Sequence, residues 1–239
     1  MKLNDSQLVR REYENEQGLT TRRALWANTD GTDPWEVAFD AVKEAGPRRV
    51  LEVGPGPGEF AERLGRDLGA EVIAIDLSPR MVELARARGV DARLGDVQEL
   101  EFEDGSFDCA VAAWMLYHVP DLDRGLGQLS RVLRPGGRLV ATTNSENNLT
   151  ELWSLLGPGA KFDLAFNCEN AGALLGRHFQ RVYRREAVGT VTIPTREDAH
   201  RYVSATISRG RLADRLPEEG WPLRATRTNC VFVAEKAAA

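Results

Sequence analysis

The central part of the chain alternates between short continuous runs of hydrophobic residues and segments in which such residues recur at helical spacing. The continuous runs, typical of buried strands, lie at residues 48–53, 71–76, 107–114 and 138–143, with a weaker one at 90–94. The intervening segments follow a helical pattern, as Phe60, Leu64 and Leu68 show. Strands that alternate with helices pair in parallel through crossover connections. The pattern therefore predicts an α/β fold with a doubly wound, mostly parallel sheet.

The two ends of the chain add helices and two further strands. Residues 1–46 are predicted to be mostly helical, with a turn at Asp30-Gly31. Later in the chain, residues 169–179 favour a helix, residues 181–193 and 229–235 favour strands, and Thr195 with Asp198 resembles a capping box. These elements predict a seven-stranded sheet in a single domain, residues 1–239. Residues 1–46 would form an N-terminal helical cap, 47–145 the cofactor-binding core, and 146–239 a helical lid with the closing strands.

Composition and charge narrow the classes of function. Lys and Arg total 31 against 36 Asp and Glu, so the net charge is −5, and nucleic-acid binding, which favours a basic face, is not expected. Cys109, Cys168 and Cys230 lie far apart without a CxxC pair, so neither a zinc site nor a disulfide framework is predicted. The first residues lack an apolar signal core, and no apolar stretch reaches the roughly 20 residues that span a bilayer. We therefore expect a cytoplasmic protein without a membrane partner.

A glycine- and proline-rich loop, GPGPG at residues 54–58, follows the first strand of the core and opens a helix. In open parallel sheets, ligands bind in the crevice beside the carboxyl ends of the strands, and glycines let the backbone approach them. A dinucleotide fingerprint would place a third glycine at position 59, where this chain has Glu59. Glu59 and the nearby Glu52 would repel a pyrophosphate. The loop therefore favours a ligand that carries a cationic group.

Five segments resemble, in order and spacing, the motifs of class I S-adenosylmethionine-dependent methyltransferases of the small-molecule, ubiquinone-biosynthesis-type branch. They read VLEVGPGPGEFAE, AIDLSPRMVELA, GDVQELEFEDGSFD, AAWMLYHVPD and LRPGGRLVATT, and together cover about residues 48–145. The resemblance implies a Rossmann-like sheet. It also implies S-adenosylmethionine as cofactor, S-adenosylhomocysteine as product, and a small molecule as methyl acceptor.

The resemblance further implies roles for residues around the glycine-rich loop. Glu52 would order the loop or face the amino group of the cofactor's methionine, above a floor formed by Gly54, Pro55 and Gly56. Asp76 ends the second strand, 22 positions after Gly54, and would accept hydrogen bonds from the ribose hydroxyls.

Other residues would bind the adenine and the sulfonium. Leu77 and Met81 would pack against the adenine, although each could equally be an ordinary core residue. Asp96 and Val97 match the pair that reads the adenine edge, and Ala113, with Trp114, would lie beside the sulfonium. The sequence therefore predicts one site along the carboxyl ends of four successive strands.

Methyl transfer from a sulfonium is an in-line displacement, in which alignment of the reacting atoms supplies much of the acceleration. A general base is needed only if the acceptor arrives protonated. His118, just beyond the fourth strand, is the candidate base; its alternative role is to pack that loop. The strand end at residues 112–114 carries no carboxylate that could hold magnesium, so we expect no metal.

Segments outside the shared core would cover the site and select the acceptor. The candidates for this lid are Tyr13, Arg22, Arg23, Trp26, Trp153, Phe162, Phe166 and Tyr202. Arg23 is also a candidate partner for the carboxylate of the cofactor, because the first helices of related proteins often touch the methionine end. About half of the aromatic residues are expected only to anchor their helices to the sheet.

The acceptor's identity stays open at this point, as does the choice between O, N and C methylation. Small methyltransferases of this kind often modify natural products or sugars in bacteria. Two alternatives remain. One is an NAD-dependent oxidoreductase, disfavoured by Glu59 and by the lack of a Tyr-x-x-x-Lys pair. The other is a module that binds S-adenosylmethionine without catalysis.

Overall fold

The computed structural model of the chain describes residues 4, 9, 13, 16–158, 160, 164–206 and 209–238. Within these residues, seven strands form one sheet. They are β1 (Arg49–Val53), β2 (Glu71–Asp76), β3 (Asp91–Leu94), β4 (Phe107–Ala113), β5 (Leu133–Asn144), β6 (Arg181–Ile193) and β7 (Leu223–Glu235). Their order in the sheet is β3-β2-β1-β4-β5-β7-β6, and only the β5–β7 and β7–β6 pairs are antiparallel. The prediction of a doubly wound, mostly parallel sheet is confirmed.

Helices cover both faces of the sheet. They are α1 (Gln17–Ala24), α2 (Pro34–Ala45), α3 (Glu59–Leu68), α4 (Pro79–Ala87), α5 (Leu122–Val132), α6 (Thr150–Leu155), α7 (Ala171–Leu175) and α8 (Arg196–Ser204), with 3₁₀ helices at Leu25–Asn28, Leu116–His118 and Gly210–Arg215. Adjacent β1 residues face opposite layers: Val50 packs with α2 and α3, whereas Leu51 packs with α5 and α7. Both are fully buried, as expected for a central strand with helices on both sides.

Several helices begin at the residues that the sequence indicates. The Ser78 side chain accepts a hydrogen bond from the Met81 N–H, and Pro79 occupies the first turn of α4. The Thr195 side chain accepts from the Asp198 N–H at the start of α8, which confirms the predicted cap. These caps fix where the chain leaves each strand and therefore where the loops at the sheet edge lie.

The antiparallel pair of β6 and β7 extends beyond the carboxyl end of the parallel strands. The last pair between β5 and β7 is Asn144–Asn229, but β6 and β7 stay paired as far as Ile193–Leu223. The chain before α2 adds a short extended segment along β6, in which the Asp30 N–H donates to the Thr190 carbonyl at 2.9 Å. This overhang packs with α6, α8 and two of the 3₁₀ helices in a second hydrophobic cluster. The overhang therefore covers the carboxyl ends of the parallel strands, where the glycine-rich loop lies.

Four predictions of detail are wrong. β7 begins at Leu223, six residues before the predicted start at 229. β5 begins at Leu133, five residues before the predicted start, because Leu133 already pairs with Phe107 of β4. The helix predicted at 169–179 is confined to α7. Cys168 and Cys230 form a disulfide, with their Cα atoms 5.6 Å apart. The cysteines are 62 positions apart, which hides the pairing in the sequence. The fold brings them together because Cys230 pairs with Thr143 at the end of β5 and the Cys168 N–H donates to the Asn144 carbonyl.

The helices of the described residues are short or amphipathic. None of them is long and apolar enough to cross a lipid bilayer.

Candidate functional site

A cavity of about 440 Å³ lies at the carboxyl ends of β1, β2 and β4, beneath the β6–β7 overhang. All residues predicted to bind the cofactor, together with the predicted base, line it. They are Arg23, Glu52, Gly54, Pro55, Gly56, Asp76, Leu77, Met81, Asp96, Val97, Ala113 and His118. The structure thus brings together residues that are scattered over most of the first half of the chain, while their individual roles stay predictions.

At two positions of the glycine-rich loop only glycine fits, because a Cβ atom there would come too close to a neighbouring side chain. Gly54 has φ +66°, and a Cβ atom there would lie 2.8 Å from the Cβ of Met115. Gly58 has φ +89°, and a Cβ atom there would lie 2.8 Å from the Cβ of Ala85 in α4. Gly58 therefore allows the start of α3 to approach α4 closely. Sequence reasoning considered only position 59 and missed this role.

Asp76 sits at the end of β2 with its carboxylate facing the loop. It accepts a 2.9 Å hydrogen bond from the Ser78 N–H. Burial raises the pKa of Asp76 to about 6, although bonds from the backbone N–H groups of Ser78, Gly56 and Leu77 oppose this rise. The carboxylate is thus ionised at neutral pH and positioned to accept from a bound hydroxyl.

Glu52 is the most deeply buried ionisable group of the cavity, with 1% of its surface exposed. Its Oε2 atom has no hydrogen-bond partner within the described residues. Burial raises the pKa of Glu52 to about 8; the charges of Glu59 and Asp76 add to the rise, and Arg23 opposes it. Glu52 is therefore mostly protonated at neutral pH, which corrects the expectation that it contributes a negative charge to the site.

Glu59 also departs from its predicted place. It belongs to the first turn of α3 and forms ion pairs with Arg23 at 2.9 Å and Arg88 at 3.2 Å. Glu59 is not among the residues that line the cavity. Of the four carboxyl groups near the loop, Asp76 and Asp96 thus face the cavity, Glu59 is paired outside it, and Glu52 is mostly neutral.

Two further cavity residues have protein partners. Arg23 lines the cavity, and the carboxylate that its Nη1 contacts at 2.9 Å is that of Glu59. Asp96 follows β3, and its carboxylate accepts hydrogen bonds from both the backbone N–H and the side-chain amide of Gln98. Both side chains are therefore held in fixed positions at the wall of the cavity.

His118 ends the 3₁₀ helix after β4 and faces Tyr13. Its Nε2 atom lies 3.3 Å from the Tyr13 hydroxyl, and its ring packs edge-on against Tyr117 with centroids 4.5 Å apart. The main chain of Tyr13 is in turn held by the Ser78 hydroxyl, which donates to the Tyr13 carbonyl at 2.6 Å. His118 thus has both a hydrogen-bonding partner and a packing role, and its function as a base stays a prediction.

The predicted lid residues divide into two groups. Tyr13, Arg22, Trp26 and Tyr202 line the cavity. Trp153 and Phe166 do not: both are buried, Trp153 in the cluster beneath the overhang and Phe166 in the main core with Phe232. Phe162 lies outside the described residues. The expectation that about half of the aromatic residues only anchor the flanking elements fits the residues described.

The wall of the cavity at the end of β4 contains three residues that were not predicted from the sequence, Trp35, Asn144 and Asn229. Trp35 at the start of α2 packs against Trp114 with ring centroids 4.8 Å apart. Trp114 has φ +54°, an uncommon conformation for a tryptophan, and its indole N–H donates to the Asn144 side chain at 3.1 Å. The Asn144 oxygen also accepts from the Asn229 amide at 2.6 Å. The alternation of Arg227 and Asn229 on β7 is the one sequence signal that could have indicated this wall.

The sheet order, the glycine-rich turn after β1 and the acidic residue that ends β2 together define a Rossmann-like, nucleoside-binding domain. Comparison with known proteins makes this class more specific. A family described as "Methyltransferase domain" matches residues 51–141.

One curated relative and two solved structures show how far the similarity extends. The ubiquinone biosynthesis O-methyltransferase of Xanthomonas oryzae is 44% identical over 102 residues, which is 40% of this chain and 42% of that protein. The [4+2]-cyclase SpnF has a TM-score of 0.64 at 19% identity and covers 97% of this chain and 96% of its own. The phosphoethanolamine-type N-methyltransferase 2 of Haemonchus contortus, solved with S-adenosylhomocysteine, has a TM-score of 0.64 at 18% identity and covers 100% of this chain and 61% of its own.

These comparisons confirm the resemblance predicted from the sequence. Residues 51–141 match a methyltransferase domain, and the rest of the chain lies outside that match. The chain spans half or less of the length of the first curated relatives that it matches, from 38% to 50%.

Proposed function

We propose that the chain binds S-adenosylmethionine and transfers its methyl group to an O, N or C nucleophile of a small molecule. The observation that carries the proposal is that one cavity brings together the glycine floor, the buried Glu52, whose Oε2 has no hydrogen-bond partner among the described residues, and the carboxylate of Asp76. When bound, S-adenosylmethionine supplies an electrophilic methyl group on a sulfonium, which is already a good leaving group. The same residues would hold S-adenosylhomocysteine after transfer.

The residues present fit the polar groups of this cofactor. The cavity contains an acidic residue at the end of β2 for ribose hydroxyls, and Leu77 and Met81 beside it for the adenine. The orphaned Oε2 of Glu52 suits the ammonium of the methionine, because a cation would stabilise the ionised carboxylate that burial now disfavours. At this end of the cofactor, Arg23 would bind the methionine carboxylate while its guanidinium stays paired with Glu59.

The protein's part in the reaction is to position and to exclude water. Ala113 and the Trp114–Asn144 contact fix the wall at the end of β4, where the acceptor would approach. The overhang and the lid residues would keep water out and hold the acceptor in line with the transferring methyl group. His118, with its ring fixed by Tyr13 and Tyr117, would remove a proton from an acceptor that arrives protonated. No metal is needed in this scheme.

The acceptor class proposed from the resemblance is a natural product or a sugar intermediate, modified in the cytoplasm by a single domain of residues 1–239. Relatives point to small acceptors, since one curated relative acts in ubiquinone biosynthesis by its name. SpnF, whose fold is similar, is a [4+2]-cyclase, so methyl transfer is measured directly. Activity therefore needs a direct test.

The test has two parts. Calorimetric titration with S-adenosylhomocysteine should give binding, whereas NAD should give none; tight binding of NAD alone would contradict the proposal and favour an oxidoreductase. Incubation with S-adenosylmethionine labelled in its methyl group and a panel of cell-extract metabolites should then move label into a small molecule. Binding without transfer to any member of the panel would favour a binding module or a cyclase-type reaction.

A further inference from the structure

The acceptor side of the cavity contains a buried arginine with an unused donor. Arg227 on β7 is 7% exposed and lines the cavity. Its Nη2 atom donates to the main-chain carbonyl of Thr32, but its Nε atom has no hydrogen-bond partner within the described residues. Burial lowers the pKa of Arg227, and the charges of Asp33 and Asp30 oppose this. The guanidinium therefore stays charged at neutral pH with an N–H group unsatisfied.

The guanidinium of Arg227 lies over Gly189 of the neighbouring strand, which has no side chain. Arg227 pairs with Gly189 of β6, and a Cβ atom at Gly189 would lie 2.8 Å from Nη2 of Arg227. Because Gly189 has no side chain, the arginine crosses β6 and reaches the extended segment that contains Thr32. The position of the charge is thus set by the strand register rather than by a flexible surface side chain.

A second unsatisfied donor lies on the same wall. Thr29 bridges to Val191 of β6, lines the cavity, and has a buried hydroxyl without a partner within the described residues. Strand pairing places Thr29 and Arg227 on one face of the overhang, because their partners Val191 and Gly189 lie two positions apart on β6 and therefore share a face. Asn229, two positions after Arg227, shares this face and lines the cavity as well. The wall therefore presents several hydrogen-bond donors toward one space.

The neighbouring carboxylates already have other partners. Asp33 accepts from the Trp35 N–H at 2.8 Å, at the start of α2. Asp30 accepts from the Thr190 N–H at 2.8 Å and lies 3.7 Å from the exposed Arg224. Neither carboxylate forms a hydrogen bond with Arg227 among the contacts of the described residues. A buried donor left in this state costs free energy that a bound oxygen would recover.

We infer that Arg227 binds an anionic oxygen of the methyl acceptor, a carboxylate or a comparable oxyanion. This inference rests on the proposed function, since it assigns the acceptor half of the same cavity. A charged acceptor oxygen would give Arg227 a charge-assisted hydrogen bond and would also accept from the Thr29 hydroxyl. The paired rings of Trp35 and Trp114 would cover a flat acceptor body on the neighbouring wall. Arg227 would thus be a specificity-determining residue.

The experiment uses three probes with one phenyl body: benzoate, benzamide and benzylammonium. Their binding to the full chain, saturated with S-adenosylhomocysteine, is measured by ligand-observed NMR. Arg227→Met is the test variant, and Arg224→Met is its matched control, because Arg224 lies on the same strand, carries the same charge and is not among the lining residues. Thermal melting checks that both variants fold.

Benzoate should bind the wild type at least tenfold more tightly than benzamide or benzylammonium. Arg227→Met should remove this preference, Arg224→Met should keep it, and both should bind S-adenosylhomocysteine as the wild type does. Three results with the wild type would overturn the inference: equal binding of the probes, no binding of benzoate, or tighter binding of benzylammonium. None of them depends on whether a variant folds. Failure of the wild type to bind S-adenosylhomocysteine would instead contradict the proposed function.

Discussion

The hydroxyl of Tyr13 lies 3.3 Å from Nε2 of His118, and this contact links the N-terminal part of the chain to the loop after β4. Ser78, which caps α4 beside Asp76, also bonds the main chain of Tyr13. The candidate base is therefore connected, through one tyrosine, to the residues proposed to hold the ribose. The positions of Tyr13 and His118 would therefore depend on each other.

The first prediction concerns the base. His118→Gln should lower turnover with a protonated acceptor by about 10²–10⁴-fold and remove the acidic limb of the pH–rate profile. Tyr13→Phe should have a smaller effect in the same direction, because it removes only a partner of the imidazole. Initial rates with labelled S-adenosylmethionine measure both.

His178→Gln is the matched control for this prediction. His178 pairs with Asp123 at 2.9 Å and is not among the residues that line the cavity, so its loss should leave the rates unchanged. A pH–rate profile of His118→Gln that coincides with that of the wild type would leave His118 with a packing role alone.

The second prediction concerns a proton released on cofactor binding. Because the pKa of Glu52 is about 8 in the protein alone, a cation bound beside it should drive its ionisation. Binding of S-adenosylhomocysteine at pH 7 should therefore release close to one proton, and affinity should rise by up to about tenfold per pH unit between pH 6 and 8. Calorimetry in two buffers of different ionisation enthalpy measures the proton directly.

Glu52→Gln should abolish this release and weaken binding. Glu62→Gln, which alters a carboxylate on the outer face of α3 that pairs with Arg88, should keep it. Proton release that persists in Glu52→Gln would show that another group titrates.

The third prediction concerns the stability of the protein without ligand, and it also follows from the pKa of Glu52. Its pKa rises from the ordinary 4.5 to about 8 on folding, so the folded state favours the protonated form. The stability that this group contributes is complete below pH 4.5 and is lost as the pH rises through 8. Urea unfolding of the wild type should thus show a falling free energy of unfolding between pH 5 and 8, and Glu52→Gln should flatten that fall. A steeper fall in the variant would contradict the burial of a neutral carboxyl.

The fourth prediction concerns the disulfide. Cys168 and Cys230 close a loop of 62 residues, so reduction should lower the free energy of unfolding by about 2–4 kcal/mol. Urea unfolding with and without dithiothreitol measures the difference. The double variant Cys168→Ser, Cys230→Ser should be less stable than the oxidised wild type and insensitive to dithiothreitol. If dithiothreitol destabilised both proteins equally, it would act on a site other than this disulfide.

Much of the fold and of the cofactor half of the site could be predicted from the sequence, because both depend on local signals. A buried hydrophobic run that is followed by glycines, or one that ends in Asp76, shows in the sequence itself where a strand reaches the carboxyl end of the sheet. Glu52 shows the limit of this approach, because its position was predicted but its charge was not: protonation depends on burial by distant elements. The role of Gly58 was missed for a similar reason, since it depends on the approach of Ala85 in another helix.

The acceptor half could not be predicted because it is built from non-local pairings. Arg227 faces the cavity only because β6 and β7 continue past β5 and because Gly189 leaves room above it. The contact of Trp35 with Trp114 joins two segments that share no motif. Phe166 looked similar in the sequence to the lid aromatics, yet it packs in the main core.

The most direct test of the account is the affinity for S-adenosylhomocysteine of the wild type and of Asp76→Ala, measured by calorimetry at pH 7.5. Asp76 provides the carboxylate proposed for the ribose, and Asp91→Ala, which alters an acidic residue at the outer edge of β3, is the control. We expect binding by the wild type and the control, and at least tenfold weaker binding by Asp76→Ala. Unchanged affinity in Asp76→Ala, or no binding by the wild type, would contradict it.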